Sequence, residues 1–308
     1  MGYSQMFRVL SVLMLGSVAF GSATTLANDC TLGARYIALA EDRMVSGATD
    51  EAAQFLQKAI DVCPSYEAYE KLGETLAQST EVADAERAVS AFVAAYDLAP
   101  SDQARARTLT QYAMLLNSRG DAQHAQPLIH QARGLDSTST DIPELMTQID
   151  YQVAHPTADS LTRGLKESLY VPLQRVSLTK DSASVPGRTA SVSSVRSINI
   201  PINFETGTTI VDHATRQNIG ELAKALRRPD FEGNKFIFVG HADERGTEAF
   251  NMKLSQERAQ TIYQMVLAMD PSLEGRVQVV GHGSSEPLDR GHDAEAYRVN
   301  RRVQVFLQ

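Results

Sequence analysis

The chain has 308 residues, a formal charge of −8 and two cysteines, with a pI near 5.4. That length suffices for two domains with real cores. The acidic balance argues against a nucleic-acid partner, because little here would displace the counterions condensed on a polyanion. Beyond the N-terminus, no run approaches the roughly 18 apolar residues that a membrane span needs.

The first 27 residues carry an export signal. Arg8 supplies a positive start, Val9 to Phe20 is an apolar run, and Thr25-Leu26-Ala27 fits a small-residue cleavage site. The mature chain is then expected to begin at Asn28, in the periplasm or associated with the outer membrane; an uncleaved N-terminal anchor is the alternative. Asp29 stands where lipid attachment at Cys30 would want a small residue, so no acyl anchor is expected. Cys30 and Cys63 are the two cysteines. In an oxidising compartment they read as one disulfide, against two free thiols.

Residues 28–156 are predicted to be helical hairpins in tandem. Ala40, Ala52, Leu56, Ala59 and Pro64 are spaced by 12, 4, 3 and 5, and Ala113, Ala125, Ile129, Ala132 and Ser137 return that register. Ala88, Phe92, Ala95 and Pro100 repeat its 4, 3, 5 part. Gly73 lies 15 residues before Ala88, which predicts a longer turn near Glu81 to Asp84. This pattern resembles the tetratricopeptide family, whose unit is a helical hairpin. Pro143 to Ala154 is read as a capping helix over the last hairpin. Cys30 precedes the first helix and Cys63 ends the second, so an antiparallel pair would bring them together.

A short helix is predicted over Thr157 to Glu167, with no readable role. Ser177 to Ser197 holds seven serines in 21 residues and reads as a flexible tether able to reach about 70 Å at roughly 3.3 Å per residue. Residues 157–195 are thus assigned to helix and linker.

From residue 196 the pattern alternates between strand and helix. Ile198, Ile200, Ile202 and Phe204 alternate with polar residues, and Pro201 among them demands an unpaired side or a bulge. A helix follows from about Asp212, burying Ile219, Leu222, Ala223 and Leu226, with Pro229 beyond its end. Phe236 to Val239, Val277 to Val280 and Val303 to Phe306 read as strands. Ser255 is taken as the N-cap of a helix burying Ala259, Ile262 and Val266. The fold class is therefore α + α/β: helical hairpins, then an α/β sandwich with a mixed sheet.

Three runs inside the last domain stand out: Gly240-His241-Ala242-Asp243-Glu244-Arg245-Gly246, Asn251-Met252-Lys253-Leu254-Ser255-Gln256-Glu257-Arg258-Ala259, and Asn300-Arg301-Arg302-Val303. Their order and spacing resemble the OmpA-like C-terminal domain, closest within it to the peptidoglycan-associated lipoprotein branch, over residues 196–308. The resemblance implies a non-catalytic site for the diaminopimelate of a peptidoglycan stem. Asp243 would accept from the ligand's ammonium, Arg258 would pair with its carboxylate, and Asn251 would orient it. His241, Ala242, Leu254 and Arg301 are given supporting roles. The residue chemistry agrees: a zwitterionic tip needs one acceptor-only group and one cation, and a guanidinium meets a carboxylate with two parallel bonds. Arg258 is placed in the first turn of its helix, whose N-terminus would add positive potential. The alternative use of the pair is an internal Asp243–Arg258 salt bridge.

Glu205, Gly207 and His282 depart from the family pattern, which weakens any contact from the first-strand loop. His241, Asp243, His282, Asp289 and His292 lack a closed metal-ligand spacing, so no metal is expected. No nucleophile motif or dinucleotide fingerprint is present, so neither catalysis nor a cofactor is expected. The chain reads as an adaptor with two partners, peptidoglycan and an unidentified envelope protein held by the helical repeats. An interaction scaffold whose wall module has lost its ligand is the alternative.

Overall fold

The computed structural model describes residues 23–166, 169–170, 196–201, 204, 209 and 211–308. Most of the predicted export signal, the serine-rich tether up to residue 195, Ile202, Glu205 and Gly207 lie outside the described residues; Ser197, counted as the end of the tether, instead opens a strand. Among the described residues no helix is long and apolar enough to cross a membrane.

Three antiparallel hairpins open the chain. Helices α1 (Ala23–Val45) and α2 (Thr49–Val62), α3 (Tyr66–Ala77) and α4 (Val82–Leu98), and α5 (Asp102–Ser118) and α6 (Ala122–Leu135) pack as pairs, and α7 (Asp141–Ala154) covers the last of them. The small residues that set the repeat register, Ala40, Ala52, Ala59, Ala88, Ala113, Ala125 and Ala132, have no exposed surface. They allow close helix crossings, while Leu56, Phe92 and Ile129 fill the gaps between. At Gly73 a Cβ would stand 2.5 Å from the Phe92 ring, so only hydrogen fits there. The extra residues of the middle hairpin are not a turn spanning Glu81 to Asp84, because Val82 onward is already helical. The inserted length extends α4 to 17 residues against 14 in α2 and α6. Cys30 and Cys63 are bonded, with Cα atoms 4.9 Å apart, joining α1 to the residue that ends α2.

The second unit is built on four strands: β1 (Ser197–Pro201), β2 (Phe236–Gly240), β3 (Val277–Gly281) and β4 (Arg302–Leu307). Their order is β1-β4-β2-β3, with β1–β4 and β2–β4 antiparallel and β2–β3 parallel. The sheet is mixed, as predicted. Pro201 lies on β1, which among the described residues pairs only with β4, so its missing donor interrupts no ladder. Asp212 caps α9 (His213–Leu226), and Pro229 opens a short 3-10 turn after that helix. Helix α10 (Glu248–Met269) crosses the sheet, and α11 (Ala294–Asn300) precedes β4.

The predicted N-cap at Ser255 is corrected. Thr247 caps α10, its side chain accepting from the Phe250 amide, and Ser255 is fully buried two turns inside the helix. There its hydroxyl donates to the Met252 carbonyl and accepts the Gly283 amide at 2.9 Å each, tying helix to loop. The close approach depends on two glycines at paired strand ends. A Cβ on Gly240 would stand 2.0 Å from the Ser255 carbonyl oxygen, and one on Gly281 would stand 2.7 Å from the Gln256 nitrogen.

The short helix assigned no role is α8 (Ala158–Lys166). Its Leu161 and Leu165 are fully buried in the second core, with Ile198, Ile200 and Leu222, so the second core begins before the serine-rich segment. Helix α6 also meets the second unit through charge. His130, wholly buried, places Nδ1 2.6 Å from Oδ2 of Asp289 and Nε2 3.0 Å from Oδ1 of Asp150. Arg133 reaches Asp289 at 2.6 Å, Arg298 reaches Asp150 at 3.5 Å, and Gln126 donates to Asp150 at 2.7 Å. Burial alone would lower the His130 pKa, but the two carboxylates reverse the sign and raise it.

Candidate binding site

Where β2, α10 and α11 meet, a cleft of about 750 Å³ opens. Chain direction explains its walls. Strand β2 ends at Gly240, the chain continues as a loop through Ala242 and Asp243, and Gly246 turns it with a φ of 104° into the Thr247 cap. A side chain there would be strained in that conformation. Helix α10 then presents Asn251, Leu254 and Arg258 to the cleft, at spacings of three and four that share one face. Tyr297 and Arg301 close it from the opposite side, and Phe204 forms a further wall.

Six of the residues singled out from the sequence therefore converge: Ala242, Asp243, Asn251, Leu254, Arg258 and Arg301 all line the cleft. His241 does not. It is buried against His282 instead, with ring centroids 5.7 Å apart. Its backbone still fixes the loop, the amide donating to the Arg302 carbonyl at 2.9 Å.

Arg258 does not occupy the first turn of its helix. It lies ten residues past Glu248, where the terminal field of the helix has decayed. The guanidinium lies over the Phe204 ring, 4.6 Å from its centroid, and burial with the nearby Arg301 charge pushes its pKa down to about 10. It stays cationic at neutral pH. Arg258 is buried, 5% exposed, at the cleft wall, and a cation so withdrawn from water and backed by an aromatic face is weakly hydrated, so it gains more from a carboxylate that reaches it than a surface arginine would.

Asp243 makes its ion pairs with Arg245 and Arg301. Arg245 donates from Nε to Oδ1 at 2.9 Å and from Nη2 to Oδ2 at 2.8 Å, and its amide donates to Oδ1 at 3.2 Å. Arg301 donates from Nη1 to Oδ2 at 3.0 Å. Burial alone would raise the Asp243 carboxyl, but these donors outweigh it and hold the pKa below the ordinary carboxylate range. Asn251 acts on the same loop, its Nδ2 donating to the Asp243 carbonyl at 3.1 Å. It is buried, and it orients Asp243 through the backbone.

Arg245, Tyr297 and Phe204 escaped the sequence reading. Arg245 packs its guanidinium over the Tyr297 ring at 4.7 Å, and Tyr297 donates to Glu244 at 3.2 Å. Arg245 lies inside the Gly240–Gly246 motif, so its signal was available. Phe204 and Tyr297 reach the cleft from distant segments with no local signature.

Comparison with known proteins places this geometry in a family. Residues 203–301 match the OmpA family, so the C-terminal unit is an OmpA-family domain. The chain is 34% identical over 73 residues to the peptidoglycan-associated lipoprotein of Pseudomonas aeruginosa, covering 24% of this chain and 43% of the relative. It is 37% identical over 94 residues to outer membrane protein A of Bordetella avium, covering 30% and 46%. The match thus spans less than half the length of these relatives. Among solved structures, the peptidoglycan-associated lipoprotein of Burkholderia pseudomallei aligns with a TM-score of 0.32 and 23% identity, covering 35% of this chain and 88% of that one.

Proposed function

We propose that this chain is a non-catalytic envelope adaptor whose C-terminal domain holds the diaminopimelate tip of a peptidoglycan stem. The observation that carries the reading is the shared cleft. A carboxylate from the loop after β2 and a guanidinium from α10 line the same opening, and the carboxylate takes its ion pairs from Arg245 and Arg301. Asp243 offers acceptors to the ligand's ammonium, and Arg258 offers a fork to its carboxylate. Charge-assisted bonds of this kind contribute about 1.5–3 kcal/mol each, which fits affinity near the micromolar range. The related proteins are named for peptidoglycan association and for the outer membrane, which supports a periplasmic place beside the outer membrane.

The helical hairpins, tetratricopeptide-like in register, are assigned the second partner, an envelope protein. Stacked hairpins expose concave faces suited to peptide segments.

A second reading draws on one observation. Asp243 already carries two guanidinium groups, as it would in an interaction scaffold that no longer binds the wall. Co-sedimentation with diaminopimelate-type sacculi separates the two. On the adaptor reading the wild-type chain pellets and Arg258→Ala stays in the supernatant; pelleting of neither removes wall binding, and equal pelleting of both removes the Arg258 site.

A further inference from the structure

At the ends of β2 and β3, three side chains that do not line the cleft converge. Strands β2 and β3 run parallel with Gly240 paired to Gly281. His241 and His282, each one residue further on, are therefore neighbours across the strand ends, and the His282 amide donates to the Gly240 carbonyl at 2.9 Å. The turn after His282 brings Glu286 back, with a carboxylate oxygen 3.3 Å from Nδ1 of His282. Ligating atoms of His241, His282 and Glu286 all lie within 4.8 Å of one another.

His241 carries the independent observation. It is 2% exposed; the Gln304 side chain lies close enough to act on its ring, but neither ring nitrogen makes a hydrogen bond of full geometry. A buried polar side chain left in that state costs about 1–3 kcal/mol, and such cases call for a bound water or ion to complete them. The Arg302 guanidinium approaches from the β4 side, its Nη2 donating to the Glu286 carbonyl at 3.2 Å.

We propose that His241, His282 and Glu286 form a binding site for a divalent transition metal such as Zn²⁺, separate from the wall-ligand cleft. Two imidazoles and one carboxylate are borderline ligands that suit Zn²⁺ and leave a fourth position for water. Bonds of about 2.0–2.2 Å from each donor require a modest contraction of the present spacing. His282 and Glu286 have side chains 36% and 62% exposed and can supply it by rotation while His241 stays fixed. The imidazole must be neutral to ligate. Arg302 opposes the incoming cation, and Glu286 is the one carboxylate in the set. The site should therefore be of micromolar rather than structural-zinc strength. Bound metal would tie the loop that carries Asp243 to the loop that carries Asp289, through residues that line neither the cleft nor the His130 network.

The test uses the full chain, stripped with a chelator and titrated with ZnCl₂ by calorimetry at neutral pH, beside His282→Tyr and Glu286→Gln. Both substitutions fall on partly exposed side chains, and circular dichroism melting checks that the variants fold. The expected result is one Zn²⁺ per chain in the micromolar range, weakened roughly tenfold or more in each variant. Absence of binding by the wild-type chain overturns the proposal, as does unchanged affinity in His282→Tyr. Pelleting with sacculi does not depend on either outcome, so the metal site and the wall site fail separately.

Discussion

Arg301 donates from Nη1 to Oδ2 of Asp243 at 3.0 Å, across 58 residues of chain. The contact sets the direction of the carboxylate, because Arg301 is fixed at the end of α11, where its side chain is 23% exposed. Arg245 makes more bonds to the same carboxylate, yet its side chain is 60% exposed. On the proposed reading, the exposed cation is the one that the ligand's ammonium displaces.

The two arginines therefore differ in a measurable way. Exposed ion pairs contribute about 0–1 kcal/mol, so Arg245→Ala should leave muropeptide affinity within about threefold of wild type. Arg301→Ala removes the better-ordered, charge-assisted bond and should weaken binding about tenfold. Titration calorimetry of the two variants compares them directly, and a reversed order would show that Arg245 is the positioning group.

The seam between the two units should titrate. The pKa of His130 is raised in the folded chain, so its contribution is fully present below the unfolded value of about 6.5 and is lost as pH rises through the folded one. Asp150 and Asp289 are shifted downward: burial opposes this, but their bonds to His130, with Arg298 beside Asp150 and Arg133 beside Asp289, prevail. Their contribution is present above about 3.8 and is lost as pH falls through the lowered values. Stability of the seam should peak between those limits. Removing one partner of a buried charged set costs about 3–5 kcal/mol. His130→Gln should therefore lower the thermal midpoint most near pH 5–6, with the gap to wild type narrowing at alkaline pH. A gap independent of pH would mean that His130 acts through packing alone.

The repeat register was legible because close helix crossings demand small residues at fixed spacing, so the spacing of Ala40, Ala52 and Ala59 is enough to announce the hairpin. The strands were legible from alternation and from the apolar runs at Phe236 and Val277. Ser255 misled because its residue type suits a helix cap while its true role, holding Gly283, depends on a contact 28 residues away. Thr247, which does cap α10, carried the same local signal. The cleft motifs located Asp243, Asn251 and Arg258, but the partners of Asp243 and the stacking of Arg258 on Phe204 are tertiary facts. The His130–Asp289 pair is separated by 159 residues, and nothing local in either segment points to the other.

The Cys30–Cys63 bridge closes a loop with a sequence separation of 33, for which chain entropy suggests about 3–4 kcal/mol of stabilisation. Reduction, or Cys63→Ser, should lower the unfolding midpoint of the helical unit while leaving muropeptide binding within twofold. A thiol assay on the folded, unreduced chain should find no free sulfhydryl, and two would remove the bridge from the account.

The central claim is that Arg258 reads the carboxylate of the ligand tip. It is tested most directly by comparing a stem peptide ending in diaminopimelate with the same peptide ending in lysine, which keeps the ammonium and lacks that carboxylate. The wild-type chain should bind the diaminopimelate peptide at least about tenfold more tightly, a difference of about 1.4 kcal/mol, and in Arg258→Ala the two affinities should become equal. A preference that survives intact in Arg258→Ala, or equal affinities in the wild type, would contradict the account.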